Sequence, residues 1–293
     1  MFGFLANLFG YILEFLYNLV NNYGIAIILF TILTKLILLP LSIKQQKTTK
    51  KSAELQEKMK ALQFKYKNDS EKLNQEMMKM YKEENMSPFS GCITAIVQML
   101  LLLSIFYLVR CPLTYMKKIP AEDVSRYVSQ IQEEGKSVSR AYPEIDVIRE
   151  YEWLKEKNPE DSNIEKINVK MNLFGLDLSK IPQQNMSDYT VYIIPVLYIL
   201  STFISMKLTT SMQQKQKENK ETIIDGKTGE KEDKEETNEM DTVAQTNKMM
   251  SWMMPVMSIS IAFVAPLGLA LYWFMSNLLM IAERLVLNKV IKD

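Results

Sequence analysis

Beyond the first span, three long stretches of the chain carry no Asp, Glu, Lys or Arg, and they alternate with highly charged segments. They run from 85 to 109, from 189 to 206 and from 249 to 282. A crossing of the bilayer takes about 20 apolar residues, so the last stretch is too long for one crossing, and Pro266 with Gly268 supplies a break. A further apolar segment begins at Tyr23. The pattern predicts five transmembrane helices, at residues 23–43, 91–110, 189–206, 249–265 and 267–287.

The segments outside these helices differ in character. Residues 1–22 carry Asn7, Glu14 and Asn18 at helical spacing, which predicts an amphipathic amino-terminal helix in the membrane interface; the alternative is a mildly polar extension of the first span. They have no basic residue and no small-residue cleavage site, so we do not expect a cleaved signal peptide. Segment 207–248, with eight Lys and ten acidic residues, is typical of a flexible, mostly disordered loop.

Basic residues near the ends of the spans predict the orientation. None occurs in residues 1–22, whereas Lys44, Lys47, Lys50 and Lys51 follow the first span. Lys and Arg accumulate on the cytoplasmic side, so we expect the amino terminus outside and the tail 288–293 inside. Segments 44–90 and 207–248 are then cytoplasmic, and segment 111–188 is extracytoplasmic.

The predicted cytoplasmic segment 44–90 contains two apolar stripes at helical spacing. The first consists of Leu55, Met59 and Leu62, and the second of Leu73, Met77, Met80 and Tyr81. Asn68, Asp69 and Ser70 supply a turn and an N-cap between them, so the pattern predicts a helical hairpin in which the stripes pair. Two further helical patterns, around 124–131 and 145–154, predict a small helical cap within segment 111–188.

The composition excludes several classes of function. The 293 residues include no His and two Cys, which excludes most zinc sites and all His-based catalytic triads. The net charge is +1, and no Arg-rich, aromatic-interleaved stretch indicates a nucleic-acid surface. We therefore expect no enzyme, no cofactor and no metal site.

Lys35 points most directly to a function. It lies eight residues, about 12 Å, inside the first span, beyond the reach of about 6 to 7 Å of its side chain. A charge at such a depth costs about 2.5 to 3.5 kcal/mol and usually faces a bundle interior or a water-filled cavity. We expect no acidic partner within a span, since Glu283 falls at the far cytoplasmic end of the last one. The alternative is an unpaired Lys that local bilayer thinning tolerates.

Polar side chains on the predicted spans form stripes that could line such a cavity. They are Thr31 and Ser42 on the first span, Thr94 and Gln98 on the second, Ser201 and Ser205 on the third, and Trp273 and Asn277 on the fifth. Each stripe alone favours helix packing, where small polar residues are common. Their coincidence with a charge at membrane depth predicts a hydrophilic groove around Lys35.

Several stretches of the sequence resemble the YidC/Oxa family of membrane protein insertases. They are residues 23–41 with Lys35 and Pro40, 86–92 (MSPFSGC) followed by Gln98, 173–178 (LFGLDL), 192–195 (YIIP), 253–255 (MMP), and 266–273 (PLGLALYW) followed by Asn277. Their order and spacing make the resemblance specific. It covers the chain apart from about residues 115–168 and 212–246.

The resemblance implies a five-helix core with a groove open to the cytoplasm and to lipid but closed outside, in a bacterial cytoplasmic membrane. Family members usually carry Arg where this chain has Lys35, and that cation is thought to attract the acidic or hydrophilic part of an entering polypeptide. Lys keeps the charge but loses the bidentate guanidinium geometry. The chain also departs from relatives that have a lipoprotein Cys, a large periplasmic domain or a longer basic tail.

The function predicted from the sequence is that of a membrane protein insertase and chaperone without cofactor, working alone or with a Sec translocon. Its expected partners are nascent membrane proteins and the lipid bilayer, with the ribosome as a further candidate. The residues expected to receive clients on the hairpin are Leu55, Met59, Leu62, Met77 and Met80.

Two other functions fit the same residues. A small-solute or anion transporter would use Lys35 as its binding site, although the sequence has no internal repeat of the kind that transporters show. A purely structural assembly subunit would need Lys35 for stability and not for insertion.

Overall fold

The computed structural model describes residues 2–66, 69–84, 90–224 and 260–290. Within these ranges the side chains of residues 2, 49–50, 52–54, 56–57, 60, 90–95, 98, 209–210, 212–224 and 288–290 are not described. The described helices are α1 (Phe2–Val20), α2 (Tyr23–Lys65), α3 (Ser70–Glu83), α4 (Ser90–Arg110), α5 (Pro112–Tyr115), α6 (Ala121–Glu133), α7 (Pro143–Arg149), α8 (Tyr151–Lys157), α9 (Ile193–Ile224) and α10 (Leu267–Val290). A two-stranded hairpin pairs β1 (Asn172–Leu173) with β2 (Leu176–Asp177), and 3-10 turns occupy Ile164–Ile167, Pro182–Gln184 and Tyr189–Tyr192. The prediction of an all-α membrane protein is confirmed.

Four segments of the described chain are long and apolar enough to cross a membrane. They are Gly3–Val20 in α1, Tyr23–Thr48 in α2, Tyr189–Leu208 leading into α9, and Leu267–Leu287 in α10. The last three coincide with the predicted first, third and fifth spans. Helix α4 occupies the predicted second span, with Met99–Arg110 as its described apolar part. Of the predicted fourth span, 249–265, residues 249–259 lie outside the described ranges and 260–264 are helical, so the count of five remains a prediction.

Helix α1 is separate from α2. Asn21 adopts a positive φ of 48°, and the Asn22 side chain caps α2 by accepting a hydrogen bond of 3.0 Å from the Ile25 N–H. The segment is therefore not an extension of the first span. Helix α1 packs along α4, α2 and α5, and its approach to α5 is so close that a Cβ on Gly10 would lie 1.9 Å from the carbonyl oxygen of Tyr115.

Helix α2 is longer than the span predicted within it. It continues without interruption for 43 residues, so the predicted boundary between the span at 43 and the hairpin at 44 is not a break in the backbone. Residues 41–65 contain no Gly or Pro and are rich in Lys, Gln and Glu, which are strong helix formers. Pro40 is accommodated inside the helix. The first arm of the predicted hairpin is thus the direct continuation of the first span.

The second arm of the hairpin is α3, which packs against the far half of α2. Asp69 caps it as predicted and accepts a hydrogen bond of 2.9 Å from the Lys72 N–H. Leu55 on α2 and Met80 on α3 are buried, with exposed fractions of 3% and 8%. The hairpin arms therefore pair through the two stripes that the sequence predicts.

Helix α9 also extends beyond its predicted end at residue 206. It is helical to Ile224, so the first part of the predicted loop 207–248 continues the helix, while 225–248 lie outside the described residues. The reason is again composition. Lys, Gln and Glu sustain a helix in water, and the sequence has no Gly between 176 and 225. Helix α10 begins at Leu267, directly after Pro266, as predicted.

Residues 111–192, here called the cap, cover one end of the helix bundle. Helix α6 ends as predicted before Gly135, whose φ of 79° is accessible to glycine at little cost. The second predicted pattern forms two short helices, α7 and α8, which meet at Glu150. Their apolar faces supply a core within the cap.

The cap is joined to the first residues of α2 and α10. The Tyr23 N–H donates to the Lys170 carbonyl at 2.9 Å, and the Gly268 N–H donates to the Leu178 carbonyl at 2.9 Å. Gly24 lies so close to the cap that an added Cβ would be 2.8 Å from Leu173 Cβ. Backbone N–H groups at the starts of α2 and α10, which have no partner within their own helix, thereby find acceptors in the cap. Packing closes this end of the bundle.

Candidate functional site

Lys35 faces an acidic side chain on another helix. Its Nζ lies 4.0 Å from Oε2 of Glu283 on α10, and the side chains of Lys35 and Glu283 are 33% and 12% exposed. The hydroxyl of Ser42, two turns further along α2, donates to Oε1 of the same carboxylate. The expectation that Lys35 has no acidic partner within a span is therefore wrong.

The register of α2 and α10 explains this pairing. Both helices start at the cap, where a Cβ on Gly268 would lie 3.5 Å from Tyr23 Cε1. Lys35 follows Tyr23 by twelve residues, about 18 Å, and Glu283 follows Gly268 by fifteen, about 22 Å. A Lys side chain of about 6 Å covers the offset. Ser42 lies further from the cap than Glu283, so the carboxylate is held between the two α2 side chains.

A second polar cluster joins α9 to α10. Asn277 Nδ2 donates to Thr202 Oγ1 at 2.8 Å and lies 3.3 Å from Ser201 Oγ. Next to it, the rings of Tyr198 and Trp273 pack with centroids 5.9 Å apart. The structure therefore brings together three of the predicted residues, Ser201, Trp273 and Asn277. Asn277 precedes Glu283 by six residues, about 9 Å along α10.

The remaining predicted groove residues are either buried or have side chains that the structure does not describe. Thr31 is buried, and its hydroxyl donates to the Ile27 carbonyl of its own helix at 2.7 Å. Ser205 is buried on α9. The side chains of Thr94 and Gln98 lie outside the described residues. Thr31 is therefore placed for packing within the bundle, in contrast to the partly exposed Lys35.

Glu283 and Thr202 are the residues of these clusters that sequence reasoning missed. Thr202 adjoins the predicted Ser201, but the predicted stripe followed Ser201 and Ser205. Glu283 is the first charged residue after the stretch 249–282. A count of residues from Pro266, directly before the last span, would have given the depth of Glu283 along that span. Two spans that start at the same membrane surface bring residues at similar distances from their starts to similar depths.

The hairpin presents a mixed surface of charge and apolar groups. A cleft of about 360 Å³ between its arms is lined by Lys58, Leu62, Lys65, Lys79 and Met80 among others. The Tyr81 hydroxyl lies 3.5 Å from the sulfur of Met59. Glu84 closes the end of the hairpin against Lys58 and Lys51, and its hydrogen bond and charge interaction with Lys58 hold the pKa of Glu84 below its ordinary value.

The sequence is similar to those of known membrane proteins. The model of the family described as 60Kd inner membrane protein matches residues 15–293. The chain is similar to the membrane protein insertase YidC of Treponema denticola, with 28% identity over 293 residues, 99% of this chain and 39% of the relative. It is 28% identical over 274 residues to that of Chlorobaculum parvum, covering 94% of this chain and 34% of the relative. A match to that of Clostridium perfringens is 43% identical over 112 residues, 35% of this chain and 47% of the relative.

These matches give the chain a family, although it spans 39% and 34% of the length of the relatives from Treponema denticola and Chlorobaculum parvum. The names of the relatives are those of insertion factors, in agreement with the expectation that the chain is not an enzyme. The apolar helices make it a multi-pass membrane protein. Because the family model matches nearly the whole sequence, the chain belongs to the 60Kd inner membrane protein family, and the resemblance of its motifs to the YidC/Oxa insertases is confirmed.

Proposed function

We propose that the chain is a membrane protein insertase that passes polypeptides from the cytoplasm into the bilayer through a hydrophilic groove around Lys35. The observation that carries the proposal is the Lys35 side chain, which is 33% exposed although it lies near the middle of the membrane-length segment Tyr23–Thr48. A cation at that depth usually marks a route for polar groups. The names of the relatives support the same activity.

The proposed groove uses the two polar clusters and the closed end of the bundle. Lys35 and Ser42 lie on one side, Asn277 and Thr202 supply polar atoms on another, and Thr94 and Gln98 belong to it by their position on α4. The cap blocks passage beyond the first turns of α2 and α10. A polar segment that enters from the hairpin end is therefore held part of the way across the membrane.

The mechanism has three physical steps. The hairpin and its surface Lys receive the client, the groove lowers the cost of removing its polar segment from water, and the apolar segment moves into lipid. The last step is downhill, because apolar residues such as Leu and Ile gain about 0.3 to 0.6 kcal/mol each at the centre of the bilayer. A span of about 20 such residues offsets the transient capture of a short polar tail.

The proposal includes the surroundings of the protein. We place it in the bacterial cytoplasmic membrane with the amino terminus and the cap outside, and the hairpin and the carboxyl terminus inside. Nascent membrane proteins are its substrates, and it acts as their chaperone, alone or with a Sec translocon and a translating ribosome. Helix α1 lies along the external interface, where both Gly10 and Tyr17 contact cap residues.

Substitutions of Lys35 test the proposed attraction. Lys35→Arg should retain most insertion of a client with an acidic tail, whereas Lys35→Ala and Lys35→Glu should lower it. The expected loss corresponds to about 1 to 3 kcal/mol, because a partly hydrated charge is screened. Insertion into liposomes that contain the purified protein, scored by protease protection, measures the effect, and a wholly apolar client is the control. If Lys35→Ala inserts acidic clients normally, the charge of Lys35 does not attract them, and the groove acts only through its hydration and its shape.

Photo-crosslinking tests the path. A crosslinker at Leu39, one turn from Lys35 on the same face of α2, and another at Gln98 should capture stalled nascent chains. Ile37 provides a matched control, since it is exposed at nearly the same depth but rotated by about 200° from Lys35. Equal capture from Leu39 and Ile37 would argue against a defined groove. Flux of small anions through client-free liposomes would instead favour the transporter.

A further inference from the structure

Glu283 is the charged group on α10 that faces the proposed groove, and its environment differs from that of Lys35. Its side chain is 12% exposed, against 33% for Lys35. Two groups on α2 contact its two oxygens, Lys35 at Oε2 and Ser42 at Oε1. The Glu283 side chain is therefore the more enclosed member of the pair, and the Lys35 side chain is the less buried one.

The contact between the two charges is a loose one. At 4.0 Å, the Lys35 Nζ and the Glu283 oxygen are further apart than the 2.7 to 2.9 Å typical of a charge-assisted hydrogen bond. Ser42 donates to the other oxygen and so holds the carboxylate at a position slightly beyond Lys35. Arg284 lies within electrostatic range of Lys35 and Glu283, so the three charges sum to one positive charge.

We propose that Glu283 is the resident counter-ion of Lys35, which an acidic group of an entering polypeptide displaces, so that Glu283 sets how strongly acidic clients are preferred. The inference rests on the proposed insertase function and adds a residue that regulates it. In the resting state Glu283 offsets the cost of a cation at membrane depth. When a client carboxylate arrives, Ser42 continues to hydrogen bond the displaced Glu283, which keeps that group from being left without a partner.

The proposed exchange predicts that removal of the Glu283 charge and removal of the Ser42 hydroxyl have opposite effects on the preference for acidic clients. Removal of the Glu283 charge removes the competitor, so acidic clients should gain over neutral ones. Removal of the Ser42 hydroxyl leaves Glu283 with Lys35 as its remaining partner among these contacts, so the pair should tighten and acidic clients should lose. A pair that only stabilises the fold predicts neither change in client preference.

The experiment compares two clients that differ by one residue, Asp or Asn, in the polar tail. Full-length protein in liposomes inserts each client, and the ratio of the initial rates for the Asp and Asn clients is measured. Glu283→Gln keeps an acceptor for Ser42 and should raise the ratio about two- to fivefold, which is the size expected of a partly exposed charge pair. Ser42→Ala should lower it. Lys35→Gln should bring the ratio to about one. Glu283→Gln made in the Lys35→Gln protein should then leave the ratio unchanged.

Glu165→Gln, which removes a carboxylate from an exposed ion pair with Lys155 on the cap, is the matched control and should leave the ratio unchanged. A Glu283→Gln protein with the ratio of the control, or with a lower one, overturns the inference while the insertase function stands. If Glu283→Gln fails to accumulate, an unchanged or raised ratio in Ser42→Ala overturns it instead. Failure of the wild-type protein to insert either client would reject the proposed function, and the inference with it.

Discussion

The cap and the contact between α2 and α10 each enclose a carboxylate, but they hold it in different ways. Glu144 in the cap is 4% exposed and accepts hydrogen bonds from the N–H groups of Leu113 and Thr114, at 2.7 and 3.0 Å, and from the Thr114 hydroxyl. Glu283 faces one hydroxyl and one ammonium group at 4.0 Å. The first set of partners is mostly fixed backbone, and the second consists of side chains.

The difference separates a structural carboxylate from one that can change partners. The backbone N–H groups at the start of α5 are held by the helix itself, so the contact fastens α7 to α5 within the cap, directly after the end of α4. A Lys side chain has several rotatable bonds and can turn toward another anion. The cap contact is therefore fixed by backbone, whereas the side-chain contacts of Glu283 are of a kind that permits the exchange proposed above.

The largest expected effect is on Glu144. Glu144→Ala leaves the backbone N–H groups of Leu113 and Thr114 without their acceptor, which should cost about 2 to 4 kcal/mol of stability. Glu283→Gln should cost far less, because the amide still accepts from Ser42 and the Lys35 side chain is itself 33% exposed. Thermal unfolding of the detergent-solubilised protein measures both. Glu133→Ala, at an exposed site on α6, is the control, and a loss from Glu283→Gln as large as that from Glu144→Ala would erase the distinction.

The second prediction concerns the closed packing of α1 against the cap. A Cβ at Gly10 would lie 1.9 Å from the Tyr115 carbonyl oxygen, so Gly10→Ala forces the backbone apart and should cost about 1 to 3 kcal/mol. Gly3→Ala is the matched control on the same helix, since its nearest neighbour would be the Tyr115 hydroxyl at 3.7 Å. Similar unfolding temperatures for both variants would contradict the close docking of α1.

The third prediction concerns the hairpin, where packing is shallower than at the cap. Met80 is 8% exposed and Met78 on the same helix is 50% exposed. Met80→Asp places a carboxylate in the apolar seam and should open the hairpin locally, at about 1 to 2 kcal/mol, while the bundle stays folded. Met78→Asp is the control. Hydrogen exchange of α3 measures the opening, and normal insertion with an open hairpin would remove it as the receiving site.

Local patterns in the sequence were sufficient for several elements. Pro266 and the long charge-free stretch predicted the start of α10, and Asp69 predicted the start of α3. The residues that decide these boundaries act within one turn of the chain, so no tertiary information is needed. Lys35 was identified for a similar reason, because the cost of a charge at membrane depth depends on its position in one helix.

Contacts between distant helices were harder to predict. Glu283 was assigned to the far end of α10 because its depth depends on where α2 and α10 begin, and that start is set by the cap at Lys170 and Leu178. The extension of α9 was missed because polarity was taken to end the helix, although Lys, Gln and Glu sustain a helix in water. The assignment of Thr31 to the groove stays a prediction, because helical spacing gives the face of a residue but not what covers that face.

The smallest expected effect is a pH dependence of the cap. Burial raises the pKa of Glu144 above its ordinary value, although its hydrogen bonds act in the opposite direction. Between the ordinary and the raised pKa the folded protein binds more protons than the unfolded one, so this contribution to stability is present at low pH and is lost as the pH rises through the raised pKa.

Glu144→Gln isolates this contribution, because the amide oxygen keeps an acceptor for the backbone N–H groups but cannot titrate. The free energy of unfolding of the wild-type protein, minus that of Glu144→Gln, should fall as the pH rises above the ordinary carboxyl value. Burial raises the pKa of Asp146 as well, and since that group is present in both proteins its contribution cancels in the difference. A difference that rises with pH would mean that the hydrogen bonds outweigh burial and that the cap holds Glu144 as a charged group.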